Sequence, residues 1–150
     1  MKRNKAVLLR NICLLMSILL LAVSLASCGS NFSAVKRSFE DHDFEYTFVA
    51  SEYELAQTIR RELNELGVDY EFHYFTHAAS SDGTEKACAA VIEFANEAQV
   101  TSVFTSSSSN TLKYLIDDYK NSDYVFGNCV LVVLTAGGIS DISEIFAEKK

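Results

Sequence analysis

The feature that most constrains this chain is an uncharged apolar run from Ile12 to Ala26, dominated by leucine. Lys2, Arg3, Lys5 and Arg10 precede it with no acidic residue among them, and small residues come after it. A basic start, an apolar middle and a small-residue exit make a secretory signal. The run is about 15 residues, short of the roughly 20 that a helix needs to cross the hydrocarbon core. Its positive flank belongs on the cytoplasmic side. An uncleaved membrane anchor is the alternative reading of the same run. If the signal is removed, residues 28–150 build the fold alone.

The exit is more specific than an ordinary signal. Leu25-Ala26-Ser27-Cys28 resembles the lipobox of bacterial lipoproteins: an aliphatic residue, two small residues, then cysteine. The resemblance covers residues 1–28 only. It implies that the Cys28 thiol receives a diacylglyceryl group and that signal peptidase II cuts between Ser27 and Cys28. Two acyl chains give stable anchoring where one gives marginal, reversible binding. The implied organisation is a signal peptide over residues 1–27, a lipidated tether over residues 28–33, and one domain over residues 34–150. The implied place is the extracytoplasmic face of the cell membrane.

Cleavage would also change the charge. The full chain has 13 basic and 20 acidic residues, a net charge of −7, and the signal removes four basic residues and no acid, leaving nine against 20, or −11. That balance argues against nucleic-acid binding, which needs basic contacts to phosphate. It also argues against a second, electrostatic grip on anionic lipid. A solvated surface or a basic partner fits better. About 120 residues make one domain, too few for the two lobes of a transport substrate-binding protein. Cys88 and Cys129 would remain outside the cytoplasm, where a pair can bridge. Both sit in apolar runs, so two buried free thiols fit equally well. There is no Cys-x-x-Cys, the usual redox or zinc signature.

Hydropathy periodicity places the elements. Ala34 to Asp41 reads as a short helix with Val35 and Phe39 on one side. Phe44, Tyr46 and Phe48 alternate with Glu45, Thr47 and Val49 as a strand with an aromatic face. Ser51 with Glu54 forms a capping box for a helix carrying Leu55, Ile59, Leu63 and Leu66, closed by Gly67. A second strand runs from Val68 to about Ala78, with Tyr70, Phe72 and Tyr74 on one face and Glu71, His73, Phe75 and His77 on the other. Residues 80–85 are a turn, and Cys88 to Phe94 a third strand. Asn96 with Gln99 starts a helix, the serines 106–109 interrupt it, and a second segment carries Leu112, Leu115, Ile116 and Tyr119. Tyr124 to Phe126 and Cys129 to Leu134 flank Gly127-Asn128 as a hairpin. Ser140 caps a last helix with Ile142, Ile145 and Phe146.

This order is that of an α+β domain. It resembles a ferredoxin-like βαββαβ sandwich, one mostly antiparallel sheet with helices on one face, plus an extra strand and a C-terminal helix. The segment Ala90-Val91-Ile92-Glu93-Phe94, the helical stretch from Asn96 to Lys120 and the hairpin at Gly127-Asn128 also loosely resemble small, mostly uncharacterised lipoproteins of Gram-positive bacteria. That resemblance supplies no catalytic motif.

The chemistry-bearing residues give no active site. His73 and His77 in one strand stand about 13 Å apart, so one ion cannot hold both. Glu71 lies nearer to His73, but no third ligand is identifiable, and no metal or cofactor is expected. Asp41-His42-Asp43 reads as a polar connector. The serines lack a nucleophile elbow. Ala136-Gly137-Gly138 is a tight turn before a helix rather than a phosphate loop. Buried Cys88 and Cys129 would be inert. Tyr46, Tyr70, Phe72 and Tyr74 are the candidate binding surface, provided their sheet face is open; otherwise they are core. The expected function is a lipid-anchored, non-catalytic binding or accessory module meeting another envelope protein. The alternative is a small envelope hydrolase or thiol enzyme using His73 or His77.

Overall fold

The computed structural model describes residues 30–47, 53–78, 86–106, 110–137, 139 and 141–148. The expected signal and lipobox, Phe48, Ser51, residues 80–85, serines 107–109, Gly138 and Ser140 lie outside the described residues. Among the described residues, no helix is long and apolar enough to cross a membrane.

Helix α1 (Ser30–Asp41) begins four residues before Ala34, inside the stretch expected to be tether. The pattern explains the extension. Phe32, Val35 and Phe39 recur at helical spacing, and all three belong to one apolar cluster. Strand β1 (Glu45–Thr47) comes next, then helix α2 (Glu54–Leu66). The N-cap of α2 is Tyr53, with no side-chain cap bond. Its end is as expected: Gly67 takes the left-handed conformation at φ 65°, which costs glycine least.

Strands β2 (Tyr70–Ala78) and β3 (Lys86–Phe94) form a long antiparallel pair. Helix α3 (Glu97–Thr105) is capped by Asn96, whose side chain accepts from Gln99 N at 3.0 Å. Helix α4 (Thr111–Leu115) is shorter than the apolar spacing suggests. Ile116 is extended, at φ −129°, and Leu115 is left exposed. The Glu62 carboxylate reaches across from α2 to accept from both Thr111 N and Oγ1 at 2.7 Å. The hairpin is β4 (Val125–Phe126) and β5 (Cys129–Thr135), with Gly127 at φ 57° in the turn. Helix α5 (Ile142–Ala147) ends the described chain and buries Ile142, Ile145 and Phe146.

The class is therefore α+β as read, but the arrangement is not ferredoxin-like. A ferredoxin-like sheet interleaves its strands so that helices cross over between parallel ones. Here the sheet is antiparallel throughout, as expected, but its order is β1-β2-β3-β5-β4. Helix α2 joins strands that lie side by side. Helices also cover both faces. On one, Ala56, Ile59 and Leu63 of α2, with Val100 and Val103 of α3, pack on Tyr74, Ala90, Ile92, Val130 and Val132. On the other, Val35 and Phe39 of α1 and Ile142 and Phe146 of α5 pack on Phe75, Ala89, Val91 and Leu131. The reason lies in the central strands. Every residue of β3 from Ala87 to Ile92 has no exposed surface. A strand apolar on both faces needs cover on both.

Candidate functional site

The expected aromatic surface does not form. Tyr46 stands opposite Phe75, on the α1 and α5 face, while Tyr70, Phe72 and Tyr74 lie on the α2 face. Neither face is open. Arg60 of α2 covers the second group, its guanidinium 4.7 Å from the Phe72 ring and 5.7 Å from that of Tyr74. Arg60 Nη2 donates to Tyr74 Oη at 3.0 Å. Tyr70 Oη donates to Arg60 O and Asn64 Oδ1. Tyr74 is buried and the other two are half-buried. These aromatics hold α2 to the sheet.

The second face of β2 assembles something that sequence reasoning missed. Glu71 and His73 project from β2 toward α1. Register places Glu93 of β3 directly opposite Glu71, diagonal to His73. His73 Nε2 lies 3.1 Å from Glu93 Oε2 and 3.9 Å from Glu71 Oε2. The three donor atoms all lie within 4.8 Å of one another. Tyr46 Oη hydrogen-bonds the other ring nitrogen, Nδ1, at 3.0 Å. Phe32 of α1 stacks on the imidazole at 3.6 Å between centroids.

Exposure rises across the cluster. The His73 side chain is 8% exposed, that of Glu93 19% and that of Glu71 79%. Burial pulls the His73 pKa below its ordinary value; the hydrogen bond and charge of Glu93 and the charge of Glu71 oppose it, and Lys36 adds to it. Burial thus favours the neutral imidazole, which sits against two carboxylates beside an apolar core. Such a group can share a proton or accept a cation. The signal for Glu93 was present in the sequence: it is the one charge in the apolar run from Ala87 to Phe94. Its value depends on a register that the sequence does not state.

The other candidates stay apart. His77 lies four residues farther along β2, in a cleft of about 530 Å³ lined in part by Asp43, Glu45, Thr76 and Lys86. Its Nδ1 is buried without a hydrogen-bond partner among the described residues. His42 is structural: Nδ1 bonds Ser38 O at 2.8 Å and Nε2 faces Glu148 at 3.5 Å. Gly137, at φ 49°, approaches β3 so closely that a Cβ there would sit 2.3 Å from Ala87 N. That is the tight turn expected. Cys88 and Cys129 are free and buried. They oppose Thr135 and Glu93 respectively, five β3 residues apart, or about 17 Å, far beyond disulfide reach. Burial raises both thiols, with Tyr53 partly opposing it at Cys88. Cys129, with Glu93 adding to the effect, is pushed up to about 12. Neither is a poised nucleophile.

Compared with known protein families, curated proteins and solved structures, the chain matches none.

Proposed function

We propose that this chain is a lipid-anchored, non-catalytic binding or accessory module on the extracytoplasmic face of the cell membrane. The observation that carries the reading is Leu25-Ala26-Ser27-Cys28 at the end of an uncharged apolar run behind a basic start. Diacylglyceryl on Cys28 would supply the membrane grip that an acidic domain cannot get from charge. Only Gly29 separates Cys28 from the first residue of α1. Two peptide steps span about 7 Å at most, so whatever the module meets is met close to the bilayer.

Two features favour binding over catalysis. Both described thiols are buried and raised. Both ring nitrogens of His73 are engaged, by Tyr46 and by Glu93, which leaves none turned to a substrate as general base. The alternative, a small envelope hydrolase, rests on that same Glu93–His73–Tyr46 chain, with the Tyr46 hydroxyl as the group to be activated.

The test is Cys28→Ala in a host that processes lipoproteins, with metabolic labelling by a clickable palmitate analogue and membrane fractionation. Label and membrane association should both be lost. A variant that stays labelled and sediments with membranes would overturn the anchor. Crosslinking in the native membrane addresses the partner. A persistent absence of crosslinked protein across growth conditions counts against an accessory role.

A further inference from the structure

We propose that Glu71, His73 and Glu93 form a binding site for a divalent transition-metal cation of the Zn²⁺ type. The proposal is independent of the lipid anchor and stands on this cluster alone.

Spacing comes first. Zinc bonds of about 2.0 to 2.2 Å to nitrogen and oxygen place neighbouring donors of a tetrahedral site about 3.4 Å apart. The distances from His73 Nε2 to the two carboxylates, 3.1 and 3.9 Å, fall on either side of that value. Small rotations of the exposed Glu71 side chain are enough to close the set. Two adjacent strands hold the Cα positions rigidly, because Glu71 and Glu93 are direct register partners.

Charge is the second and independent argument. Like charges directly opposite on adjacent strands are destabilising, and here they adjoin an apolar core. Among the described residues the ion-pair partner of both carboxylates is His73. Lys36 on the covering helix is engaged elsewhere, with Glu40 at 3.6 Å and over the Tyr46 ring at 4.9 Å. A divalent cation between the carboxylates cancels their two charges. Imidazole in the donor set favours zinc-like ions over calcium or magnesium, which take oxygen ligands.

Third, His73 is built as a ligand. Metal-bound histidines almost always donate their second ring N–H to a fixed acceptor, which sets tautomer and orientation. Tyr46 Oη occupies that position at Nδ1, and the stacked Phe32 ring fixes the plane. Without a cation, Nε2–H donates to Glu93 and the Tyr46 hydroxyl donates to Nδ1. With one, the proton resides on Nδ1, the Tyr46 hydroxyl turns to accept it, and the Nε2 lone pair faces the ion. The number of protons on the ring does not change. The solvent-facing side at Glu71 leaves room for entry and for a water ligand, so the site is open rather than a sealed structural knot.

The experiment is Zn²⁺ titration of the full-length chain in detergent by calorimetry, with Ca²⁺ as competitor and Co²⁺ as spectroscopic substitute. One Zn²⁺ per chain is expected, weakened about tenfold or more in Glu71→Gln and in Glu93→Gln, and indifferent to Ca²⁺. The Co²⁺ form should show no thiolate charge-transfer band, which separates this site from any cysteine site. Glu71 is exposed, so Glu71→Gln retains the fold and keeps the test decisive. Absence of saturable Zn²⁺ uptake, uptake unchanged in Glu71→Gln, or a thiolate band would each overturn the proposal.

Discussion

Asn31 Nδ2 donates to Asn128 Oδ1 at 3.0 Å, joining the first turn of α1 to the β4–β5 turn across 97 residues of chain. Asn128 is itself buried and donates from Nδ2 to Phe94 O at 2.6 Å. One side chain thus links the first helix, the hairpin turn and the end of the central strand. The turn is fitted to that link. A Cβ on Gly127 would lie 2.1 Å from Asn31 Nδ2, and the residue is at φ 57°. Gly127→Ala should therefore cost about 1 to 3 kcal/mol, from backbone strain and loss of the Asn31 bond. Asn128→Ala should cost a similar amount, about 1 to 3 kcal/mol, by stranding the Phe94 carbonyl and the Asn31 amide. Urea unfolding measures both, and combining Asn31→Ala with Asn128→Ala should cost less than the sum of the two. Strict additivity would show that the link carries no energy.

The aromatic face of β2 makes the opposite prediction from the one its sequence invites. Tyr70, Phe72 and Tyr74 are packing residues under Arg60. Tyr74→Ala should destabilise by about 3 kcal/mol or more, as large core truncations do. Arg60→Ala should cost about 1 to 2 kcal/mol through lost stacking and a lost hydrogen bond. Thermal melts check this. Variants of Tyr70 or Phe72 that kept full stability but lost a crosslinked partner would restore these residues to a binding role.

How much of this was legible varied with the range of the interaction. Local signals held: Gly67 closes α2, Asn96 with Gln99 starts α3, and Gly127-Asn128 turns the hairpin. The facing of β2 held too, because side-chain alternation is a property of the strand itself. What failed was pairing. The same element order fits an interleaved sheet and the observed one, in which α2 joins neighbouring strands, and loop lengths did not separate them. The unbroken apolar runs in β3 and β5 were the available sign that both faces are covered. The Glu71–His73–Glu93 cluster needed the β2–β3 register, which relates residues about 20 apart in sequence through backbone bonds that leave no mark on either segment alone.

The two thiols give a pH test with a definite sign. The folded state keeps Cys129 protonated up to about 12, against an ordinary thiol value of 9.0. Above about pH 9 the unfolded chain ionises this thiol while the folded chain does not, so unfolding gains as pH rises. The contribution is present below 9 and is lost between 9 and 12. The stability difference between the native chain and Cys129→Ala should thus shrink from about pH 8 to about pH 10.5. A difference constant with pH would contradict the burial of this thiol. At pH 8 neither Cys88 nor Cys129 should react with a maleimide until denaturant is added.

Glu71 ties stability to binding with opposite signs. In the presence of a chelator, Glu71→Gln removes a like charge from directly opposite Glu93. It should stabilise the fold by about 0.2 to 1 kcal/mol, the scale of a cross-strand pair. With Zn²⁺ in excess the order should reverse, because a ligand that binds only the folded state adds stability in proportion to its affinity, and the native chain binds it more tightly. Paired melts of both proteins, with chelator and with Zn²⁺, read the crossover directly. A residue whose removal strengthens the empty fold and weakens the loaded one is held in place by its ligand. If Glu71→Gln moved both melts in the same direction, the carboxylate would be part of the fold alone.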